Sequence, residues 1–199
     1  MSSSARARGF TLIEVLIVVL FLGVFAVVAT DTFSNIMKTQ NKVRVLNELG
    51  QSGSYALSIM EQQLRNADEI TCCGGDFSPA CGSGGYMGNE AVGFKLGGEE
   101  ICFCIWPTGG VRAIMRSVGA DCASSCTPPG DDPSYSFLTD TDQVGGVNIG
   151  EASFSCDSGG TRVNLKLGLM PPPNSPTRQD FQAGDGVVLE TTVNLRGAQ

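Results

Sequence analysis

Residues 6–29 of this chain read RARGFTLIEVLIVVLFLGVFAVVA. The run from Phe10 to Ala29 is nearly all apolar. At about 1.5 Å per helical residue, it is long enough to cross the roughly 30 Å hydrocarbon core of a bilayer. An ionised carboxylate near the middle of a spanning helix costs about 2.5–3.5 kcal/mol, and less towards an end. The sequence therefore predicts a membrane-spanning helix, and the position of Glu14 within it requires an explanation.

Three interpretations of this segment differ in what they make of Glu14. A secretory signal peptide has an apolar core of about 7–15 residues, whereas the run here is longer and contains an acid. A plain membrane anchor accounts for the length, and Glu14 is then a carboxylate that reaches the headgroups near a helix end. The third interpretation takes a short basic leader that ends at Gly9 together with Phe10, Glu14 and the apolar run that follows.

Taken together, the residues RGFTLIEVLIVV resemble the class III leader of type IV pilins and pseudopilins. The resemblance implies that a prepilin peptidase cleaves between Gly9 and Phe10 and that the new terminus at Phe10 is N-methylated. It also implies that Glu14 pairs with the terminal amine of a neighbouring subunit and so sets the register of assembly. An ammonium and a carboxylate favour each other at low dielectric, although desolvation of both offsets much of the gain.

The charges flanking the apolar run predict its orientation. Arg6 and Arg8 precede it, so the positive-inside rule keeps residues 1–9 in the cytoplasm and places the remainder outside. The resemblance implies a single-pass inner-membrane protein that later enters a cell-surface or periplasmic filament.

The eight cysteines all lie on the C-terminal side of the apolar run. An even number of cysteines in an oxidising compartment favours disulfides. Zinc is the alternative, although no pair has the C-x-x-C spacing. We expect Cys122 and Cys126 to form a local pair, and Cys72 or Cys73 to join a loop to the sheet. The disulfide candidates are Cys72, Cys73, Cys81, Cys102, Cys104, Cys122, Cys126 and Cys156.

Beyond Ala29 the pattern remains helical and becomes amphipathic, with apolar residues recurring at intervals of three, four and seven. We expect one helix to about Ala67, weakened at Gly50 and Gly53 by about 1 kcal/mol each relative to alanine. The predicted segments are a leader (1–9), an assembly and membrane half of the helix (10–29), an amphipathic half (30–70) and a β-rich disulfide domain (71–199).

Within that last segment, residues 72–90 are rich in glycine and cysteine and are predicted to form a loop. Strand patterns follow, clearest in EICFCIW and RVNLKLGL, where apolar residues alternate. The predicted class is α+β: a long N-terminal helix packed on a C-terminal antiparallel sheet, as in pilins. The predicted strands are Ala91–Leu96, Glu100–Trp106, Val111–Arg116, Ala152–Cys156, Thr161–Leu169 and Val187–Leu195.

Composition argues against several functions. The chain has 13 Lys and Arg against 20 Asp and Glu, which disfavours direct binding to nucleic acid. It has no His, so it lacks the commonest general base and the commonest zinc ligand. No nucleophile elbow or phosphate loop is present, so we expect neither enzyme activity nor a cofactor. The sequence DDPSYSFLTDTD supplies oxygen ligands suited to calcium, although a solvated acidic loop is the alternative. The calcium candidates are Asp131, Asp132, Asp140 and Asp142.

The two ends of the chain narrow the resemblance. VVLETTVNLRG resembles the terminal strand of W-type minor pilins and J-type minor pseudopilins of type II secretion, and SIMEQQLRNADEI resembles the end of their helix. The resemblance implies a minor pilin or pseudopilin of a type IV pilus or type II secretion pseudopilus. Its partners would be other subunits through the helix, the prepilin peptidase, the inner-membrane assembly platform and, before assembly, lipid. The alternatives are a major pilin subunit and a membrane-tethered extracytoplasmic binding module.

Overall fold

The computed structural model describes residues 11–81, 88–119, 122, 135–142, 145–176, 181 and 186–196. The chain forms two compact units, Met1–Val43 and Arg44–Gln199. One helix and eight strands lie in the described part, with a short 3-10 helix at Gly88–Glu90. Their bounds are α1 Leu12–Arg65, β1 Glu69–Gly75, β2 Ala91–Leu96, β3 Glu99–Thr108, β4 Val111–Val118, β5 Tyr135–Phe137, β6 Asn148–Cys156, β7 Arg162–Met170 and β8 Val187–Asn194.

Helix α1 ends two residues earlier than the apolar pattern predicts. Its last turn tightens, because the backbone N–H of Ala67 donates to the carbonyl of Leu64 at 3.1 Å. The N–H of Arg196 donates to the carbonyl of Arg65 at 3.3 Å, which satisfies one of the unpaired acceptors at the helix end. Strand β1 begins at Glu69, so the predicted boundary at residue 71 falls inside a strand.

The eight strands form one mixed, curled sheet in the order β5-β4-β3-β2-β1-β6-β7-β8. The predicted α+β class with a long N-terminal helix is confirmed. The prediction of an antiparallel sheet holds for every described pair except β1 with β6, which is parallel over Gly74↔Ser155 and Gly75↔Cys156. Strand β1 also corrects the prediction of a loop from residue 72. Its register with β2, not its residue propensities, makes EITCCGG extended.

The principal core lies between the C-terminal part of α1 and one face of the sheet. Leu49, Ala56, Met60 and Leu64 are buried along the helix at spacings of seven and four, as the pattern predicts. At the edges of the contact, Arg116 Nε donates to Gln63 Oε1 at 3.1 Å, and the Thr191 hydroxyl donates to Glu61. The largest fully buried strand residues of this core are Phe94, Phe103, Phe154, Ile114, Ile149, Leu165, Leu167, Leu169 and Val92.

A smaller core covers the other face of β2, β3 and β4. Alternation along β3 sends Phe103 towards the helix and Cys102 and Cys104 to the opposite side. The hydroxyl of Ser117, also buried there, has no hydrogen-bond partner among the described residues. The buried members of this second core are Cys72, Cys81, Ala91, Cys102, Cys104, Met115 and Cys122.

The seven described cysteines are all disulfide-bonded. Cys102 pairs with Cys122, not with its neighbour on the same face, because adjacent same-face cysteines point in parallel. This pairing corrects the expected Cys122–Cys126 bridge, and Cys126 lies outside the described residues. The other two described pairs are Cys72–Cys81 and Cys73–Cys156. Both cysteines expected in a loop lie in strand β1: Cys73–Cys156 joins β1 to β6, and Cys72–Cys81 joins β1 to the segment that follows it.

Candidate functional site

The N-terminal half of α1 exposes large apolar side chains around its whole circumference. An 18-residue window has a mean hydropathy of 3.0, and none of it is buried by the rest of the chain. After Glu14, the next charged residue is Asp31. A helix that is apolar all round requires burial in lipid or against other chains. By length and composition, this segment is able to span a membrane.

Glu14 occupies the first turn of this helix, and Thr11 precedes it as the N-cap. The backbone N–H of Glu14 lies 3.4 Å from Thr11 Oγ1 and 3.0 Å from the Thr11 carbonyl oxygen. A carboxylate in the first turn is stabilised by the partial positive charge of the helix N-terminus, typically by about 0.3–1 kcal/mol. The helix start therefore provides a local reason for the acid, which sequence reasoning missed.

The signal for this cap was present in the sequence. Residues 11–14 read TLIE, the T-x-x-E spacing of a capping box directly before an apolar run. A capping role and a pairing role use different parts of Glu14. The cap engages its backbone N–H, whereas its exposed carboxylate remains able to meet a cation from another chain. Gly9 and Phe10, the predicted cleavage residues, lie outside the described residues.

Hydroxyl groups beyond Ala29 are satisfied within the helix. Thr30 donates to the carbonyl of Ala26 at 2.9 Å, and Thr32 donates to that of Val28 at 2.8 Å. Ser34 makes the same contact one turn further on, with the carbonyl of Thr30. A hydroxyl that donates to the preceding turn needs no hydrogen bond from water, so its burial near the end of the apolar segment costs little free energy.

The calcium candidates divide between described and undescribed positions. Asp140 Oδ1 accepts from the N–H of Asp142 at 3.0 Å, and the carbonyls of both residues accept from Val147 and Gly146 respectively. The Asp140 carboxylate thus helps to fold the loop before β6. Asp131 and Asp132 lie outside the described residues. Within the described part of the chain, no three His, Cys, Asp or Glu side chains form a group that could hold a metal.

No protein-family model, curated protein or solved structure matches this chain. The most distinctive combination is the capped acid at the start of an exposed apolar helix, joined to a disulfide-bonded domain.

Proposed function

We propose that this chain is a minor pilin or pseudopilin, a structural subunit of a type IV pilus or a type II secretion pseudopilus. The observation that carries the proposal is the exposed apolar helix with Glu14 in its first turn, directly after the Gly9–Phe10 junction. Its uniformly apolar surface suits two successive environments, a bilayer before assembly and the helices of other subunits afterwards.

Each segment has a role in this proposal. The peptidase removes residues 1–9, and the apolar half of α1 holds the subunit in the inner membrane until the assembly platform extracts it. The domain from Arg44 onward faces the extracytoplasmic side, where its disulfides persist. In the filament, the Glu14 carboxylate pairs with the terminal amine of a neighbouring subunit.

The substitution Glu14→Gln tests the pairing role. Membrane insertion should be retained or slightly improved because a charge leaves the hydrocarbon, and cleavage after Gly9 should continue. Incorporation should fall, so the mature protein should accumulate in the membrane with little in sheared filaments. Quantitative blotting of the two fractions measures this, and undiminished incorporation would exclude the pairing role.

The matched control is Thr11→Val, which removes the capping hydroxyl and leaves the Glu14 carboxylate in place. If Glu14 matters only as part of the cap, Thr11→Val should lose incorporation, whereas Glu14→Gln, which keeps the capped backbone N–H, should assemble like wild type. If the carboxylate pairs with another subunit, Thr11→Val should assemble far better than Glu14→Gln.

Processing separates this proposal from a membrane-tethered binding module. The intact mass of the protein from its native envelope should correspond to a chain that begins at a methylated Phe10. A chain beginning at Met1 or Ser2, or one cut beyond Ala29, would support the tethered module instead. The abundance of the protein in sheared filaments distinguishes a minor subunit, present as a small fraction, from a major one.

A further inference from the structure

Strand β8 lies at one end of the sheet, and its outer edge carries backbone groups that pair with none of the described residues. Leu195 N–H donates to the carbonyl of Thr161 at 3.0 Å, directly opposite in the register of β7 with β8. Because hydrogen-bonding direction alternates along a strand, odd-numbered residues of β8 face β7 and even-numbered residues face outward. The outward N–H and C=O groups, which no described residue pairs, belong to Val188, Glu190, Thr192 and Asn194.

Strand β8 contains no proline, lysine or bulge, three of the features that usually prevent strand addition. Exposed edges are normally interrupted by proline, lysine or a bulge. Strand β8 reads VVLETTVN and pairs with β7 through eight consecutive residues without a register shift. The two register shifts in the described sheet lie in the pairing of β1 with β2 and of β6 with β7. The edge of β8 is therefore a regular template for another strand.

The side chains beside this edge favour a basic partner. Glu190 is exposed, and Lys166, opposite it on β7, contacts Glu151 at 3.4 Å instead. No described residue forms an ion pair with Glu190. Two residues away, Val188 is 57% exposed on the same face. A strand added at this edge would meet a free carboxylate and an exposed apolar side chain.

We propose that the outer edge of β8 receives an extended segment of a different protein, which places Lys or Arg opposite Glu190. A second copy of this chain fits less well because each copy carries a net charge of −7 and would bring another Glu190 to the contact. The backbone groups of the incoming segment supply the affinity, and its alternate side chains supply the selectivity.

The test uses the full chain in detergent and a capped synthetic peptide, RVNLKLGLM, as the probe. This peptide copies Arg162–Met170, the strand that already pairs with β8 and places a lysine opposite Glu190. Wild-type protein should bind it at millimolar or lower concentration. A peptide with glutamate in place of that lysine should bind at least about fivefold more weakly. Titration followed by backbone amide shifts of Val188, Glu190 and Thr192 measures both.

Two variants examine the edge itself. Thr192→Pro removes an outward N–H and leaves the bonds to β7 intact, which edge strands tolerate. It should weaken binding at least about tenfold, whereas the matched control Thr192→Val, which keeps the N–H, should bind like wild type. Glu190→Lys should reverse the preference between the two peptides, which gives a second reading if the proline variant folds poorly.

Three peptide-binding results would overturn the proposal. They are no binding to wild type at 1 mM peptide, equal binding by Thr192→Pro and Thr192→Val, and a preference for the glutamate peptide. Equal binding by the two Thr192 variants would indicate that the peptide exchanges with β7 inside the sheet. Self-association through β8 in the absence of peptide would assign the edge to a second copy instead.

Discussion

Gly53 of α1 lies directly against the side chain of Leu169 on β7. A Cβ atom at this position would overlap Leu169 Cδ1 and come within 2.7 Å of Leu189 Cδ1. Gly50, one helical turn earlier, has no such neighbour within 4 Å. Both glycines lower intrinsic helix propensity, but only Gly53 brings the helix close to the sheet.

This contrast predicts opposite effects of the same substitution. Gly53→Ala should destabilise the folded domain by about 1–3 kcal/mol because it overpacks the contact with Leu169. Gly50→Ala should be neutral or stabilise by up to about 1 kcal/mol through helix propensity. Urea unfolding of the two full-length variants in the same detergent measures the difference. Equal midpoints would show that the helix moves freely over the sheet.

The disulfides predict unequal losses of stability. Cys73–Cys156 spans 83 residues and Cys72–Cys81 spans 9. In the chain-entropy treatment these loops are worth about 4.5 and 2.7 kcal/mol respectively. Replacing both members of the long-range pair by alanine should therefore lower the free energy of unfolding by about 2 kcal/mol more than replacing the short-range pair. Denaturant melts of the two double variants give the comparison, and the reverse ranking would contradict it.

Gly93 on β2 leaves room for the Cys102–Cys122 disulfide. A Cβ there would lie 2.5 Å from Cys122 Cβ and 2.7 Å from Thr71 Oγ1. Gly93→Ala should hinder formation of that disulfide, so a newly produced protein should contain reactive thiols that map to Cys102 and Cys122. Gly150→Ala is the matched control, since its closest neighbour is the flexible end of Met170. Mass mapping after thiol alkylation should find all described pairs intact in the control.

Asp157, in the turn between β6 and β7, predicts a pH dependence. The Thr161 hydroxyl donates to its carboxylate at 2.6 Å and the Arg162 N–H at 2.9 Å, and these bonds hold the pKa of Asp157 below its ordinary value of 3.8. Because the folded pKa is the lower one, the stabilisation is full well above pH 3.8 and is lost as the pH falls through the folded value.

Asp157→Asn should therefore flatten the loss of stability between about pH 5 and pH 2. Unfolding midpoints measured across that range provide the test. Glu99→Gln is the control because it removes an exposed carboxylate that makes no hydrogen bond in the described structure. If both variants change the pH dependence of the unfolding midpoint equally, the effect comes from net charge and not from the hydrogen bonds of Asp157.

The helix and six of the eight strands could be predicted because their signals are local. Alternation in residues 100–106 and 162–169 predicts strands with one buried face, and the spacing of Leu49, Met60 and Leu64 predicts the buried face of the helix. Strand β1 escaped prediction because its extended form depends on β2 and β6, which are distant in sequence. The bonding of Cys122 to Cys102 depends equally on tertiary placement. The capping role of Glu14, in contrast, could have been predicted, because the T-x-x-E spacing is a local sequence signal.

The Cys73–Cys156 disulfide determines how the domain would carry mechanical tension. Suppose that a pulling force acts between α1 and the end of β8. It would pass through this covalent bond and bypass the chain that contains β2, β3, β4 and β5. The parallel seam between β1 and β6 has only two residue pairs, so the disulfide and not the ladder bears the load there. The separation of 83 residues between the two cysteines corresponds to about 280 Å of extended chain. While the disulfide is intact, this length could not add to the extension of an unfolded domain.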